Sequence, residues 1–214
     1  MPEVKARHYR SPLRQEQAAA SRAAILAAAR ELFVEQGYGA TTIEQVAARA
    51  GVSKPTVFTA VGNKQRLFIA VRDVAMAGDD DPTPVAERPS VGKIRQATGI
   101  RHAVREAAAH IAALQARYAP VDDVLRGAAA AGEPGLRELW RSAEDQRLTG
   151  AGFLVDALLA AGSLRAGLDR ARAVDVLSFF MTPDVHQQLV TRRGWSAAEY
   201  CDWLDRTLAT QLLD

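Results

Sequence analysis

Cysteine is nearly absent from this chain: Cys201 is the only one in 214 residues. An intramolecular disulfide and a cysteine-based metal cluster are therefore excluded, and a reducing compartment is the natural setting. Aromatic residues make up only 6% and β-branched runs are scarce, so little of the material of strands is present. Nowhere do 18 apolar residues follow one another, and the first residues lack the apolar core of a signal peptide. The expectation is a soluble cytoplasmic protein with no membrane partner. Catalytic constellations are missing too. His8, His102, His110 and His186 are scattered, and no His-x3-His or Cys-x2-Cys spacing exists to hold zinc. Gly150 and Gly152 fall within a helical pattern, without the preceding strand and following lysine of a phosphate loop. No enzymatic activity, metal or cofactor is expected.

What the chain does have is alanine, at 48% hydrophobic and 24% charged residues overall. Helices packed closely through small side chains suit that composition, and the expected fold class is all-α. The net charge of +2 is unevenly spread. Residues 1–64 hold nine Lys and Arg against five Asp and Glu (+4), and the other 150 hold 18 against 20 (−2). The N-terminal end is the one suited to phosphates.

That end contains the most informative stretch, Thr41 to Lys64, TTIEQVAARAGVSKPTVFTAVGNK. Thr42 and Gln45 form a capping-box pattern, opening a short helix whose apolar face is Ile43, Val46, Ala47 and Ala50. Gly51 stops it, Ser53 is an N-cap, and Pro55 falls in the first turn of a second helix, where a missing N–H costs nothing. Two short helices joined by a glycine-containing turn make a helix-turn-helix pattern. On the second helix Lys54, Thr56 and Thr59 stand where an exposed first turn meets base edges in a major groove. Pro55 suits a thymine methyl or simple helix initiation equally well.

The stretch resembles the TetR family of transcriptional regulators, whose DNA-reading segment has the form AGVSKxTxYxxFxxK. Ala50-Gly51-Val52-Ser53-Lys54 and Thr56 fit that form, and Lys64 sits where the family places a lysine at the start of its fourth helix. The resemblance covers residues 20–72; beyond them it is one of helical layout. It implies a three-helix head with DNA contacts at Thr41, Thr42, Lys54, Pro55, Thr56, Phe58, Thr59 and Lys64. It also implies a helical ligand-binding and dimerisation body, and the function of a homodimeric regulator, by expectation a repressor, on a pseudo-palindromic double-stranded operator. Phe58 departs from the pattern, standing where a tyrosine hydroxyl usually bonds a phosphate, and Ala60 and Gly62 replace a histidine and a further polar residue. A phenyl ring donates no hydrogen bond. The alternative reading is therefore a ligand-binding or protein-interaction dimer of the same fold with weak or lost specific DNA binding.

Along the chain, residues 1–20 carry Lys5, Arg7, His8, Arg10 and Arg14 without a sustained apolar period and read as a flexible basic arm. Residues 21–66 form the head and 67–214 the body, a boundary that the resemblance supplies. A first helix runs from Ser21 to Gly37, and another from Asn63 to Gly78. Asp79 to Pro84 is a proline-broken acidic loop. Further helical patterns cover Ile94–Tyr118, with Gly99 as a point of interruption and Pro120 as the break, then Val121–Ala131, Leu136–Gly162, Leu168–Phe180, Val185–Thr191, and a last helix from Ser196 with a second capping box to Glu199. For a small-molecule effector, expected to be apolar with an acidic group, the polar or aromatic candidates are Arg105, His110, Trp140, Arg147 and Phe153. For the homodimer interface they are Phe179, Phe180, Trp203, Leu204 and Leu208, with burial inside one subunit as the equal alternative.

Overall fold

The computed structural model describes residues 12–81, 83 and 88–214. Helices are its only regular secondary structure among those residues. The chain divides into two compact units between Val71 and Arg72.

The first unit contains α1 (Pro12–Ala40), α2 (Ile43–Arg49), α3 (Lys54–Val61) and the opening turns of α4 (Lys64–Ala77). Here α1 begins at Pro12 rather than Ser21, because the alanine-rich residues before Ser21 continue the helix and a proline fits its first turn. The basic residues Lys5, Arg7, His8 and Arg10 of the expected arm lie outside the described residues, whereas Arg14 is on α1. Gly37 adopts φ 80° and kinks the helix, so the chain can turn into α2. Ile25, Ala29, Phe33, Val46, Val57, Leu67 and Phe68 are buried, and Phe33, Tyr38 and Phe68 meet with centroids 5.1 to 5.7 Å apart. These contacts brace α2 and α3 from behind.

The second unit holds the rest of α4, then α5 (Pro89–Arg95), α6 (Ile100–Ala130), α7 (Leu136–Ala161), α8 (Arg170–Phe180), α9 (Pro183–His186), a π-helical turn (Gln187–Arg192) and α10 (Ala197–Leu212). The central element is α6, which packs against α5, α7, α9 and α10. Ala103, Ala107 and Ile111 on α6 meet Leu154 and Leu158 of α7, Leu177 of α8, and Tyr200, Leu204, Leu208 and Leu212 of α10 in one core.

Pro120 does not end α6 as its sequence position predicts; it lies inside a continuous helix. A proline there removes one backbone donor and costs about 3 kcal/mol. The helix is held through the proline by packing, with Tyr118, Ala119 and Val121 buried around it, and two buried glutamines tie this stretch of α6 to the elements beside it. Gln187 Nε2 donates to the Ala119 carbonyl at 3.0 Å, and Gln115 Nε2 donates to the Met181 carbonyl after α8. The acidic loop is held by Arg88, which donates to Asp79, the Asp81 carbonyl and the Thr83 carbonyl; Pro82 and Pro84 lie outside the described residues. No helix among the described residues is long and apolar enough to cross a membrane.

Candidate nucleic-acid interface and cavity

The geometry of the head follows from its caps. Thr42 Oγ1 accepts from the Gln45 amide while Gln45 Oε1 accepts from the Thr42 amide, closing the capping box of α2. Ser53 Oγ accepts from the Thr56 amide at the start of α3, and Gly51 turns between the helices at φ 66°. Val57 and Val61 are drawn into the core, so α3 turns Lys54, Pro55, Phe58 and Thr59 outward.

The outward face is less polar than its residue names imply. Thr59 donates to the Pro55 carbonyl and Thr56 shares a hydrogen bond with Ser53, so both hydroxyls are engaged within the helix. Lys54 forms an ion pair with Glu44 of α2 and lies 5.9 Å from the Phe58 centroid. That bond lowers the Glu44 carboxyl below its ordinary range. Phe58 itself is 46% exposed.

Two of the expected DNA contacts are differently placed. Thr41 is buried, donating to the Gly37 carbonyl at 2.8 Å and accepting from Gln36, so its role is to shape the turn rather than to meet a ligand. Lys64 donates to the Gly39 carbonyl and lies 4.3 Å over the Tyr38 ring, where it ties α4 to the turn before α2.

A cavity of about 520 Å³ opens within the second unit, walled by α4, α5, α6, α7 and the α8–α9 junction. Met76, Val91, Leu114, Leu154, Trp140, Phe153 and Met181 give it a largely apolar lining. His110, Trp140, Arg147 and Phe153 come together on this wall. Arg105 does not. It points from the outer face of α6 toward Asp205, 3.9 Å away, because the helical period places it opposite the cavity.

Besides His110 and Arg147, the cavity is lined by polar groups that are not among the sequence candidates, Arg72, Tyr118, Asp122, Arg126 and Asp184. Tyr118 donates to Asp122 at 3.1 Å, and Arg126 pairs with Asp184 at 2.6 Å. Burial pushes the Tyr118 hydroxyl up to about 12 and raises the Asp122 carboxyl above its ordinary range. His110 is held below the usual histidine range, first by burial and then by Arg117. Arg72 is 3% exposed and donates to Gln146. Its sequence signal was readable: Phe68, Arg72 and Ala75 share a helical face, so the arginine interrupts a buried stripe. Among the described residues no group of three His, Cys, Asp or Glu could hold a metal.

The interface candidates also separate. Leu204 and Leu208 are wholly inside the protomer core and have no surface to offer a second chain. Phe179 is 63% exposed, while Phe180 and Trp203 are partly buried with centroids 6.0 Å apart.

Residues 25–71 match the family model described as bacterial regulatory proteins, tetR family. The N-terminal head is similar to the DNA-reading head of the tetR family. This is a family of regulatory proteins, not of enzymes. The tetR-family segment is 44% identical over 50 residues to the HTH-type transcriptional activator FasR of Mycolicibacterium smegmatis, a match spanning 23% of each chain. Similarity of fold extends further. NalD of Pseudomonas aeruginosa, the secondary repressor of the MexAB-OprM efflux pump, aligns with TM-score 0.63 and 19% identity over 92% of this chain and 98% of its own. A protein from Saccharomonospora viridis solved in complex with choline aligns with TM-score 0.64 and 19% identity over 91% and 98%. Outside the head, the chain shares an all-helical architecture with them at low sequence identity.

Proposed function

We propose that the chain is a ligand-responsive, sequence-specific DNA-binding regulator of transcription that acts as a cytoplasmic homodimer on a pseudo-palindromic operator. The observation that carries this reading is α3: capped by Ser53, anchored through Val57 and Val61, and presenting Lys54, Pro55, Phe58 and Thr59 outward. A helix so held enters a major groove as a rigid element, with its first turn at the base edges. Two copies related by a two-fold axis read half-sites about one helical turn apart. Phe179, on the exposed side of α8, belongs to the dimer contact together with Phe180 and Trp203. The cavity takes a small-molecule effector, and its occupancy alters operator affinity by about 5- to 150-fold through a coupling of roughly 1 to 3 kcal/mol. Repression is the output proposed.

Selection of duplexes from a random pool at near-physiological salt, followed by anisotropy titration, tests the proposal. An inverted repeat is the expected winner, and Lys54→Ala is expected to weaken its binding while leaving the dimer intact. Binding that is weak, sequence-independent and abolished by salt would support a second reading, a ligand-binding or interaction dimer without specific DNA recognition. Phe58, Ala60 and Gly62 favour that reading, since none supplies a side-chain donor to a phosphate.

A further inference from the structure

The cavity contains a cation with unused donors. Arg72 is a guanidinium with its side chain 4% exposed, and burying such a charge is costly unless its N–H groups find acceptors. One Nη donates to Gln146, the other lies 3.4 Å from the largely exposed Asp73 carboxylate, and Nε has no acceptor in the protein. The Tyr118 ring, 5.9 Å from the guanidinium carbon, packs beside the group. Across the same cavity, Arg147 Nε is also buried without an acceptor, although Glu144 lies 3.4 Å from its Nη2.

The anions lining the cavity are already accounted for. Asp184 is paired with Arg126, and Asp122 accepts the Tyr118 hydroxyl in a setting where burial favours its protonated form. Glu144 and Asp145 are exposed. His110, held below its usual range, adds no charge near neutrality. Asp73 and Glu144, both largely exposed, each reach one Nη of these arginines, and neither Nε has an acceptor in the protein although both side chains line the cavity.

We propose that the cavity binds an amphipathic carboxylate, with its carboxylate on the Nε edge of Arg72, Arg147 as a second donor, and its apolar body among Leu114, Phe153 and Met181. A guanidinium fork matches a carboxylate in shape and charge, and a space of about 520 Å³ is in the range that drug-sized ligands occupy. Methionine at the wall adapts to the outline of a flexible chain. The assignment deepens the reading of this cavity as the effector site and rests on it.

The test is calorimetric titration of the full-length protein with decanoate, decanol, decyltrimethylammonium and decyl phosphate. Decanoate is expected to bind at least 10-fold more tightly than the other three. Arg72→Gln should weaken decanoate by about 10- to 100-fold, the loss of one charge-assisted contact. Arg147→Gln, at a half-buried position, should weaken it less, and Arg72→Lys should retain part of the affinity. Should Arg72→Gln fail to fold, Arg147→Gln and Arg72→Lys carry the test. Equal or tighter binding of the alcohol, the ammonium or the phosphate, no binding by any of the four, or decanoate affinity untouched in the folded variants would overturn the assignment. Operator titration separates this from the broader reading. Decanoate that binds through Arg72 yet leaves operator affinity unchanged sinks the effector role and leaves the ligand class standing. Release by decyltrimethylammonium keeps the effector role and removes the carboxylate.

Discussion

Leu204 and Phe179 are both apolar residues on C-terminal helices, and the structure buries one and exposes the other. Leu204 on α10 is fully buried in the core that α6, α7, α8 and α10 share. Truncation by Leu204→Ala removes buried methyl groups and leaves a cavity, and such changes cost about 2–5 kcal/mol. At a mid-range 3 kcal/mol and roughly 3 °C per kcal/mol for a chain of this size, the melting temperature should fall by about 9 °C. Phe179 is 63% exposed, so Phe179→Ser should alter the stability of the isolated protomer by less than about 0.5 kcal/mol while weakening self-association. Thermal melts at two protein concentrations, with sedimentation velocity on the same samples, distinguish the roles. The reasoning fails if Leu204→Ala shifts the melt by only a degree or two, or if its effect vanishes at high protein concentration, since the residue would then act through association.

Three further outcomes are expected. Thr42→Ala opens the capping box of α2 and should cost about 1 kcal/mol in urea unfolding, with operator affinity reduced in step because α2 positions α3. Tyr200→Phe should stabilise the chain by about 1 kcal/mol, because the Tyr200 hydroxyl is buried with no protein partner; a comparable loss in denaturant titration would show that the hydroxyl has an acceptor in solution. The Arg101 guanidinium donates to Asp205 and holds its carboxyl below the ordinary range. Because the folded-state value is depressed, this stability is present above the unfolded carboxyl value of about 3.9 and is lost as pH falls through the folded one. With Arg101 half exposed, the contribution is no more than about 1 kcal/mol after screening. Arg101→Gln should therefore lower stability at pH 7 and flatten its decline below pH 4.

Local chemistry was legible in the residues themselves. Thr42–Gln45 and Ser196–Glu199 both close as capping boxes, Ser53 caps α3, and Asn63 Oδ1 accepts from the Arg66 amide at 2.9 Å. Each involves groups three residues apart, so side-chain type and spacing suffice to specify the contact. The helix-turn-helix pattern and its relation to the tetR family were readable for the same reason.

What lay beyond three or four residues was decided by tertiary structure. Pro120 reads as a break by its own chemistry, yet α6 continues through it because packing on both sides outweighs the lost hydrogen bond. Thr41 and Thr42 are neighbours of one type, but only the fold shows that Thr41 is buried against Gly37 while Thr42 faces out. Leu204 and Phe179 look alike in a helical stripe until the partners of each helix face are known. The cavity is the clearest case. Its Arg72, Tyr118, Gln146 and Arg147 come from three helices, and no local spacing brings a guanidinium on α4 beside a glutamine on α7. The caps and the helix-turn-helix depend on near neighbours along the chain and are legible from residue type and spacing. The interior surfaces, and with them the charges that line the cavity, depend on which helix covers which face, and that is settled by packing.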